Sequence, residues 1–474
     1  MKKSKLFLTI LLCLTTLSLI SCTSPVASSV TSGTDTGTSV TSGTGTSGTG
    51  TSGTDTTTTP ATPSVTLSSI AVSGTLANAL YYVGDRVNTS GLTVTATYSD
   101  GSTKTVTSFT ASAFSEVNLG TEQTITISYT EGSVTKTATV NGTFYIAAAG
   151  AKPTESPVLL SDYTGTLTGG TYYKFGDFPQ TISALTGDGA YTTEPVYRGW
   201  YLGSDGYFYA KCTENAYSSS YTYSNGTTIA QSSANSQKYF KVEPIVWRAV
   251  TRDYNSTGKA LLLAEKELTA NVPYYGSNSN RTLSGATIYP NNYKYSNIRA
   301  YLNGKPNQFV TDGGTATTSD IDWTSKGFID TAFTSSAQDL IATTSVDNSA
   351  ESTTDAGNNL TQATTYACAN TEDKIFLLSE KEATTEAYGF TTYDVDGIGN
   401  SRIRVPTDYA KANYAYLSGT DGYGGHWWLR SPKAYYNSGY VISYSGSADG
   451  SGSVVDWESR KIGVVPALSI SIGN

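Results

Sequence analysis

A long stretch near the N-terminus contains almost nothing but threonine, serine and glycine, and it decides where folding can begin. Between residues 23 and 65 the chain repeats TSGT and closely related runs, and it closes with Pro60 and Pro63. A segment with so few apolar side chains cannot bury enough surface to offset the entropy lost on ordering. We therefore predict a flexible tether over residues 22–65, with a root-mean-square span of roughly 35 Å for a Gly/Ser/Thr-rich coil of this length.

The segment before the tether has the pattern of an export signal. Three lysines among the first five residues precede an apolar run at residues 6–20. This run is too short to span a bilayer comfortably, and small residues follow it. Residues 1–21 are therefore predicted to be a signal peptide.

The end of the signal peptide, Leu19-Ile20-Ser21-Cys22, resembles the lipobox of bacterial lipoproteins. The resemblance implies that the chain is cut before Cys22, that its thiol is diacylated and that the new amine is acylated. Several acyl chains are enough for stable anchoring, so a membrane is the expected partner. The residue after Cys22 is Thr23 and is not acidic, which in a host with two membranes resembles the signal for export to the outer membrane. We expect a lipid-anchored protein of the cell envelope, exposed at the outer membrane or cell surface. The alternative is an ordinary signal peptide followed by a chance cysteine.

A period-two alternation begins after the tether. Apolar residues alternate with Thr or Ser in three runs, at residues 67–74, 91–107 and 123–146. Asp100-Gly101 and Glu131-Gly132 stand between alternating stretches, as hairpin turns require. Short strands at this spacing favour an all-β sandwich, which we place at residues 66–147. We expect it to fold as an independent module with linkers on both sides.

The same segment resembles the bacterial Ig-like domains of group 3 over almost its whole length. The resemblance is carried by Ile70 and Val72, Tyr82-Val83-Gly84-Asp85, Gly91-Leu92-Thr93-Val94, Tyr98-Ser99-Asp100-Gly101, Gly120 and Ile125-Thr126-Ile127-Ser128-Tyr129. It implies an extracellular spacer or an adhesive module.

The rest of the chain, residues 154–474, mixes strand-like and helix-like segments. Strands are predicted at 171–182, 238–250, 258–268, 373–383, 426–432, 439–446 and 463–470. Helices are predicted at 296–304, 335–344 and 406–416, with Ser296, Ser335 or Ser336, and Thr407 or Asp408 as N-caps. This mixture favours an α+β domain. Residues 261–268 and 376–383 are alike, which indicates either two similar buried strands or a distant duplication.

This C-terminal part resembles an uncharacterised bacterial surface module, domain-of-unknown-function family 6273. The resemblance is carried in order by Phe175-Gly176 with Pro179-Gln180, Pro244-Ile245-Val246-Trp247-Arg248, residues 261–268, Ser296-Asn297-Ile298-Arg299 with Tyr301-Leu302-Asn303, Phe333, Asp339-Leu340-Ile341, residues 373–382, Pro406-Thr407-Asp408-Tyr409-Ala410, Trp427-Trp428-Leu429-Arg430-Ser431-Pro432 and Val464-Val465-Pro466-Ala467-Leu468. Val465 departs from the pattern, because family members more often have Arg there. The resemblance implies no established activity. The closing strands are also similar, more weakly, to C-type-lectin-like modules.

Composition excludes several kinds of chemistry. Lys and Arg number 30 against 38 Asp and Glu, which gives a net charge of −8. Without a basic run, such a chain is not expected to bind nucleic acid. His426 is the only histidine, so clusters of histidine ligands cannot form. No G-x-S-x-G elbow accompanies His426, and we interpret it as a structural or surface residue.

The sequence does not favour a calcium site or a glycosidase site. Asp394, Asp396 and Asn400 provide oxygen ligands, but Ile398 breaks the EF-hand spacing, which favours an Asp/Gly turn. No motif singles out a pair of carboxylates for glycoside hydrolysis. We therefore predict no metal, no cofactor and no enzymatic activity.

Two cysteines remain once the signal peptide and Cys22 are set aside. Export favours pairing of Cys212 with Cys368 in a disulfide. Two buried free thiols are the alternative.

The segment from residue 435 to residue 457 is rich in Tyr, Ser, Gly, Asn and Asp, much like antibody loops. Its aromatic residues are the candidate ligand contacts: Tyr435, Tyr436, Tyr440, Tyr444 and Trp457. Strand alternation places Tyr440, Ile442 and Tyr444 on one face, so that this face is either core or open to a ligand. Tyr435 and Tyr436 are neighbours, and we expect at least one to be exposed.

Three functions are compatible with these features. We favour a lipid-anchored surface protein that displays an adhesin-like recognition domain, binding a protein or a glycan, on an Ig-like spacer and a flexible tether. The alternatives are an extracellular polymer-degrading enzyme and a structural envelope protein without a specific ligand. A shallow aromatic surface near the last hairpin favours the first, and convergent acids in a deep cleft favour the second.

Overall fold

The computed structural model describes residues 64–231, 236–353, 364–391, 397–433, 435–448 and 452–472, apart from the side chains of residues 457 and 458. The predicted signal peptide, the predicted lipidation site Cys22 and nearly all of the predicted tether lie outside these ranges. Within them, no helix combines the length and the apolar character needed to cross a membrane.

The first folded part, which we call the sandwich, is all-β. Its strands are β1 Leu67–Gly74, β2 Leu80–Tyr82, β3 Leu92–Tyr98, β4 Thr103–Val106, β5 Thr110–Ala111, β6 Glu122–Gln123, β7 Thr126–Glu131, β8 Val134–Thr139 and β9 Phe144–Ala147. They form three small sheets, in the orders β1-β3-β4, β2-β9-β6 and β5-β7-β8.

The alternation in the sequence explains the core of the sandwich. Val94, Ala96 and Ile127 are fully buried, while the intervening Thr and Ser residues face outward. The two predicted turns are present. Gly101 lies between β3 and β4 with a φ of 81°, and Gly132 lies between β7 and β8 with a φ of 61°. Glycine adopts this left-handed conformation without the steric cost that a Cβ atom imposes.

An antiparallel sheet forms the centre of the C-terminal domain, residues 154–472. Its strands are β10 Val158–Leu159, β11 Tyr172–Ile182, β12 Tyr201–Leu202, β13 Phe208–Thr213, β14 Gln237–Thr251, β15 Ala260–Ala264, β20 Ile375–Phe376 and β24 Ala467–Ile470. The main order is β10-β11-β14-β15-β24-β20, and β13 extends it by pairing with β14 and β12. Trp247, Leu261 to Leu263 and Leu468 are buried in its core.

Smaller sheets and short helices surround this central sheet. The further strands are β16 Arg281–Leu283, β17 Ala286–Ile288, β18 Thr344–Val346, β19 Thr371–Asp373, β21 Trp427–Pro432, β22 Ser438–Ile442 and β23 Gly452–Val454. The α-helices are α1 Asn297–Leu302, α2 Gln308–Thr311, α3 Phe328–Ala332, α4 Ser335–Leu340, α5 Ala350–Thr353, α6 Glu380–Ala383 and α7 Asp408–Ala412. Turns of 3₁₀-helix lie at Ala149–Ala151, Tyr254–Ser256, Tyr293–Tyr295, Glu386–Tyr388 and Trp457–Lys461. The domain therefore mixes strands and helices, as predicted.

The predicted caps are largely present. The Ser296 side chain accepts a hydrogen bond from the amide of Arg299, and the Thr407 side chain accepts one from Ala410. Helix α4, however, is capped by Thr334 instead of Ser335 or Ser336. A hydroxyl one residue earlier satisfies the same free amides at the start of the helix.

The predicted strand over 373–383 is wrong in its second half. Asp373 ends β19 and Ile375–Phe376 forms β20, but Glu380–Ala383 is helical. Ser379 and Glu382 form a capping box, which starts the helix where the strand stops. Glu382 then forms a buried ion pair with Arg430 of β21.

The two similar segments lie on either side of one strand. Both β15 and β20 pair antiparallel with β24, so that Leu263 and Phe376 each face Ala467. The predicted strand at 258–268 ends at Ala264, and the glutamates that follow it, Glu265 and Glu267, are buried.

A shared hydrophobic cluster joins the sandwich to the C-terminal domain. Trp200, Leu202 and Phe208 of the C-terminal domain pack against Tyr82 and Tyr145 of the sandwich. The short 3₁₀ turn after β9 follows directly, and the Ala148 amide donates to the Gly206 carbonyl at 2.9 Å. The expected linker on this side of the sandwich is thus replaced by a packed interface.

Candidate functional site

The last hairpin does not bring the predicted contact residues together. In the pairing of β21 with β22, Trp427 faces Ile442 at one end and Pro432 faces Gly439 at the other. Tyr435 and Tyr436 lie in the turn beyond Pro432, whereas Tyr444 follows the opposite end of β22. Gly439 and Ile442 are three residues apart at about 3.3 Å per residue, so the two paired ends lie roughly 10 Å apart along β22, and the tyrosines lie beyond them on opposite sides.

Tyr440 is not part of the candidate ligand-binding surface. Only 5% of Tyr440 is exposed, and it packs in the main core together with Val441 and Ile442. Because β22 is covered on both faces, alternation along it does not separate an inner face from an outer one. The side chain of Trp457 lies outside the described residues.

The turn between β21 and β22 presents its tyrosines to solvent. Tyr435 is 67% exposed and Tyr436 is 43% exposed. Buried Asn291 fixes the turn from below, because its side-chain amide donates to the carbonyls of Tyr435, at 2.8 Å, and Ser438, at 3.0 Å. The backbone of the turn is thus held in place while both rings remain accessible.

An aromatic cluster lies at the opposite, open end of the hairpin. It consists of Tyr217, Tyr414, Tyr416, Tyr423, His426 and Tyr444. Tyr416 lies 5.6 Å from Tyr217 and 4.8 Å from His426, measured between ring centroids. Tyr444 lies 5.4 Å from His426 and 5.6 Å from Tyr423.

The rings of the aromatic cluster are partly accessible. Tyr444 is 37% exposed, and the other members are half-buried. Their contacts are mostly tilted or edge-to-face, which is the arrangement that aromatic pairs favour. The cluster therefore offers a connected aromatic surface at the edge of the domain.

Backbone contacts hold this cluster in position. The Tyr416 amide donates to the carbonyl of Lys461, and the Gly424 amide donates to the carbonyl of Tyr444, both at 2.9 Å. Tyr414 has a φ of 78°, which is unusual for a bulky residue. Such strained conformations persist where the surrounding structure enforces them, and they concentrate at functional sites.

Positive charge borders the aromatic cluster. Lys461 donates a hydrogen bond to the Tyr217 hydroxyl at 3.3 Å, and its ammonium lies 5.0 Å from the centre of that ring. Burial, reinforced by Lys461, lowers the pKa of His426 to about 4. His426 is therefore neutral near pH 7 and meets tyrosine rings on two sides.

Beneath the aromatic cluster lies a glutamate that the sequence did not single out. Glu267 is fully buried, and burial raises the pKa of its carboxyl well above the usual range. A Cβ atom on Gly425 would approach a Glu267 oxygen to 2.4 Å, and one on Gly463 would approach the other oxygen to 2.2 Å. The two glycines therefore make room for the Glu267 carboxyl next to the residue that precedes His426.

Sequence reasoning found Tyr444 but missed most of the cluster. Tyr217 is almost 200 residues away from the other members, which are spread over residues 414–444, and no periodic pattern links them. The available signal was the pair Tyr414 and Tyr416, which flank buried Ala415, close to the Gly-rich run before His426.

The candidate disulfide is not formed. Cys212 and Cys368 are both free thiols. Cys212 packs in a cluster with Tyr221 and Phe240, whereas Cys368 packs against the main core. Because the two thiols belong to different clusters, the alternative of two free cysteines describes this structure. Burial raises the pKa of Cys212 to about 11, which keeps that thiol protonated.

Among the described residues, no group of three His, Cys, Asp or Glu side chains is placed to hold a metal ion. Asp394 and Asp396 lie outside those residues. Asn400 is buried beneath Gly446, where a Cβ atom would approach its side chain to 2.6 Å.

The fold defines a multidomain, β-rich protein in which an Ig-like sandwich precedes a mixed α/β domain. Comparison with family models identifies the parts. Residues 75–141 match the bacterial Ig-like domain (group 3), and residues 257–472 match the domain of unknown function DUF6273. The chain contains both domains. The match to DUF6273 begins after β14, so strands β10 to β14 of the central sheet lie outside it. The resemblance predicted from the sequence began earlier, at Phe175. A search of curated proteins finds no match.

Proposed function

We propose that this chain is a lipid-anchored cell-surface protein whose C-terminal domain binds an extracellular glycan. The observation that carries the proposal is the aromatic cluster, whose six rings are in contact and partly exposed. The Ig-like sandwich and the tether serve as the spacer, and Cys22 serves as the anchor. The domain acts by recognition and does not transform its ligand.

The chemistry of the aromatic cluster supports a glycan. Tyrosine combines an apolar face, on which a sugar ring stacks, with a hydroxyl that exchanges hydrogen bonds with sugar hydroxyls. Neutral His426 adds a further polar ring, and Lys461 adds a charged donor at the border. Rings that already pack against one another lose little conformational entropy on binding.

A protein ligand is the second candidate, and the hairpin turn favours it. Tyr435, Tyr436 and Val454 are exposed by 67%, 43% and 38%. Tyrosines on a fixed backbone are typical of protein-binding loops. This surface lies at the other end of the hairpin, so the two candidates can be separated by mutation.

A combined glycan and protein array, probed with the full chain, tests the proposal. We expect binding to a restricted set of glycans, with competition by the same free oligosaccharide. Binding to proteins alone would transfer the function to the hairpin turn. Release of reducing sugar from a bound glycan would support a polymer-degrading enzyme instead. Absence of any ligand would favour a structural envelope protein.

A further inference from the structure

Two adjoining cavities lie on the C-terminal domain outside the aromatic cluster. Their volumes are about 490 and 330 Å³, and Tyr163 and Lys266 line both. The larger cavity extends to Gly422, the residue before Tyr423 of the aromatic cluster. The two cavities share part of their lining and together form a path, which ends at a residue bonded to a member of the cluster.

The wall shared by the cavities is held rigidly. The Thr166 amide donates to the buried carboxylate of Glu265, and Arg404 donates to the Thr166 hydroxyl at 3.2 Å. A Cβ atom on Gly165 would approach both Glu265 and the Tyr172 ring to within 2.5 Å. The loop that carries Tyr163 is therefore fixed before any ligand arrives, which reduces the entropy cost of binding.

Tyr163 presents a ring to both cavities. It is half-buried, and its ring centroid lies 5.0 Å from that of Tyr172. Burial, with the charge of Glu265, raises the pKa of the Tyr163 hydroxyl, so the hydroxyl remains protonated. A sugar ring stacked here would meet an apolar face and a hydrogen-bonding group.

The charges in the cavities favour an anion. Lys174 and Lys266 line the smaller cavity, and among the described residues neither ammonium forms an ion pair. Glu243 also lines this cavity and accepts a hydrogen bond from the Thr181 hydroxyl at 2.6 Å, whereas buried Glu265 lies 3.7 Å from Arg404. The smaller cavity is therefore lined by two ammonium groups and one carboxylate, that of Glu243, so its lining carries a net positive charge.

We infer that this path binds an anionic glycan, with a carboxylate or sulfate between Lys174 and Lys266 and a sugar ring on Tyr163. The inference rests on the proposed glycan-binding function and names its class of ligand. Charge-assisted hydrogen bonds from an ammonium to such a group are stronger than those between neutral groups.

Titration calorimetry with matched oligosaccharides tests the inference on the full chain. The probes are a galacturonic acid hexamer, its methyl ester, which keeps the rings but removes the charge, and a sulfated heparin hexasaccharide. We expect at least one charged probe to bind about tenfold or more tightly than the ester at low salt, as two hydrogen bonds to a charged group allow. This preference should shrink at high salt because exposed charges are then screened.

Variants distinguish this inference from the proposed function. Lys174→Gln combined with Lys266→Gln should abolish the preference for the charged probe, and Lys104→Gln combined with Lys136→Gln in the sandwich should not. Tyr416→Ala should weaken both forms of the hexamer equally, because it acts through the aromatic cluster. Equal binding of the charged and neutral forms, no binding of any probe, or a preference unchanged by the Lys174/Lys266 variant would overturn the inference. Continued binding of a neutral glycan would leave the proposed function intact.

Discussion

The imidazole of His426 stands perpendicular to the ring of Tyr444, with 5.4 Å between the ring centroids. This contact joins the start of β21 to the residues just after β22, and Tyr416 covers the imidazole on another side. The centre of the candidate site is therefore the open end of the last hairpin. The tyrosines of its turn form a separate surface.

Replacing Tyr416 should separate these two surfaces. Tyr416→Ala removes the ring that touches Tyr217, His426 and Tyr444. Truncation of a central aromatic contact costs about 2 kcal/mol or more, so the affinity for a glycan identified on the array should fall roughly thirtyfold. Tyr435→Ala, at the other end of the hairpin, should change that affinity by less than about twofold. Affinity would be measured by calorimetry, with circular dichroism as the check on folding.

A larger loss of glycan affinity in the Tyr435→Ala variant than in Tyr416→Ala would place the site at the hairpin turn.

His426 should make the stability of the protein depend on pH. The pKa of His426 is about 4 in the folded protein and 6.5 in an unperturbed chain. Unfolding therefore takes up a proton between these values, so the free energy of unfolding should decrease as the pH falls from 6.5 to 4. For a shift of this size the decrease is up to about 3 kcal/mol. Urea unfolding at pH 7.5 and pH 4.5 measures it.

The control for the pH effect is His426→Gln, which cannot titrate but shares every other ionisable group. The variant should lose less stability than the parent between the two pH values. An identical loss in both proteins would show that the fold does not hold His426 neutral.

The cluster between the domains should contribute substantially to stability. Trp200 is 4% exposed within that cluster, and truncating a buried tryptophan to alanine costs about 3 kcal/mol or more. Lys152→Gln is the matched control, because it removes the exposed ion pair with Asp85, which is worth at most about 1 kcal/mol. Urea unfolding of the full chain, followed by fluorescence and circular dichroism, measures both.

We also expect the sandwich and the C-terminal domain to unfold together, because they share this cluster. Two well-separated transitions, with only the second sensitive to Trp200→Ala, would instead describe independent modules.

Cys22→Ser tests the anchor. A serine cannot carry the thioether-linked diacylglycerol, so the variant should remain uncleaved or leave the membrane fraction. Labelled palmitate should enter the parent protein and be absent from the variant. Equal membrane association of both proteins, together with no label in the parent, would refute the prediction of a lipoprotein.

Features that depend on interactions between neighbouring residues could be predicted from the amino-acid sequence. Alternation of apolar residues with Thr and Ser predicted the strands of the sandwich, and Asp100-Gly101 predicted a turn that Gly101 closes with a positive φ. Ser296 and Thr407 predicted helix starts, because a hydroxyl at that position satisfies free amides within the same turn. These interactions span a few residues, so a short window of sequence contains them.

Which aromatic residues are available to a ligand depends on long-range packing, and the sequence did not predict it. Tyr440 and Tyr444 belong to the same predicted strand face, yet one is buried and the other exposed, because β22 is covered on both sides and ends before Tyr444. Tyr217 approaches Tyr416 only when the segments that follow β13 and α7 pack together. Burial and contact at these positions depend on which distant elements pack against them, and no local pattern of residues records that choice.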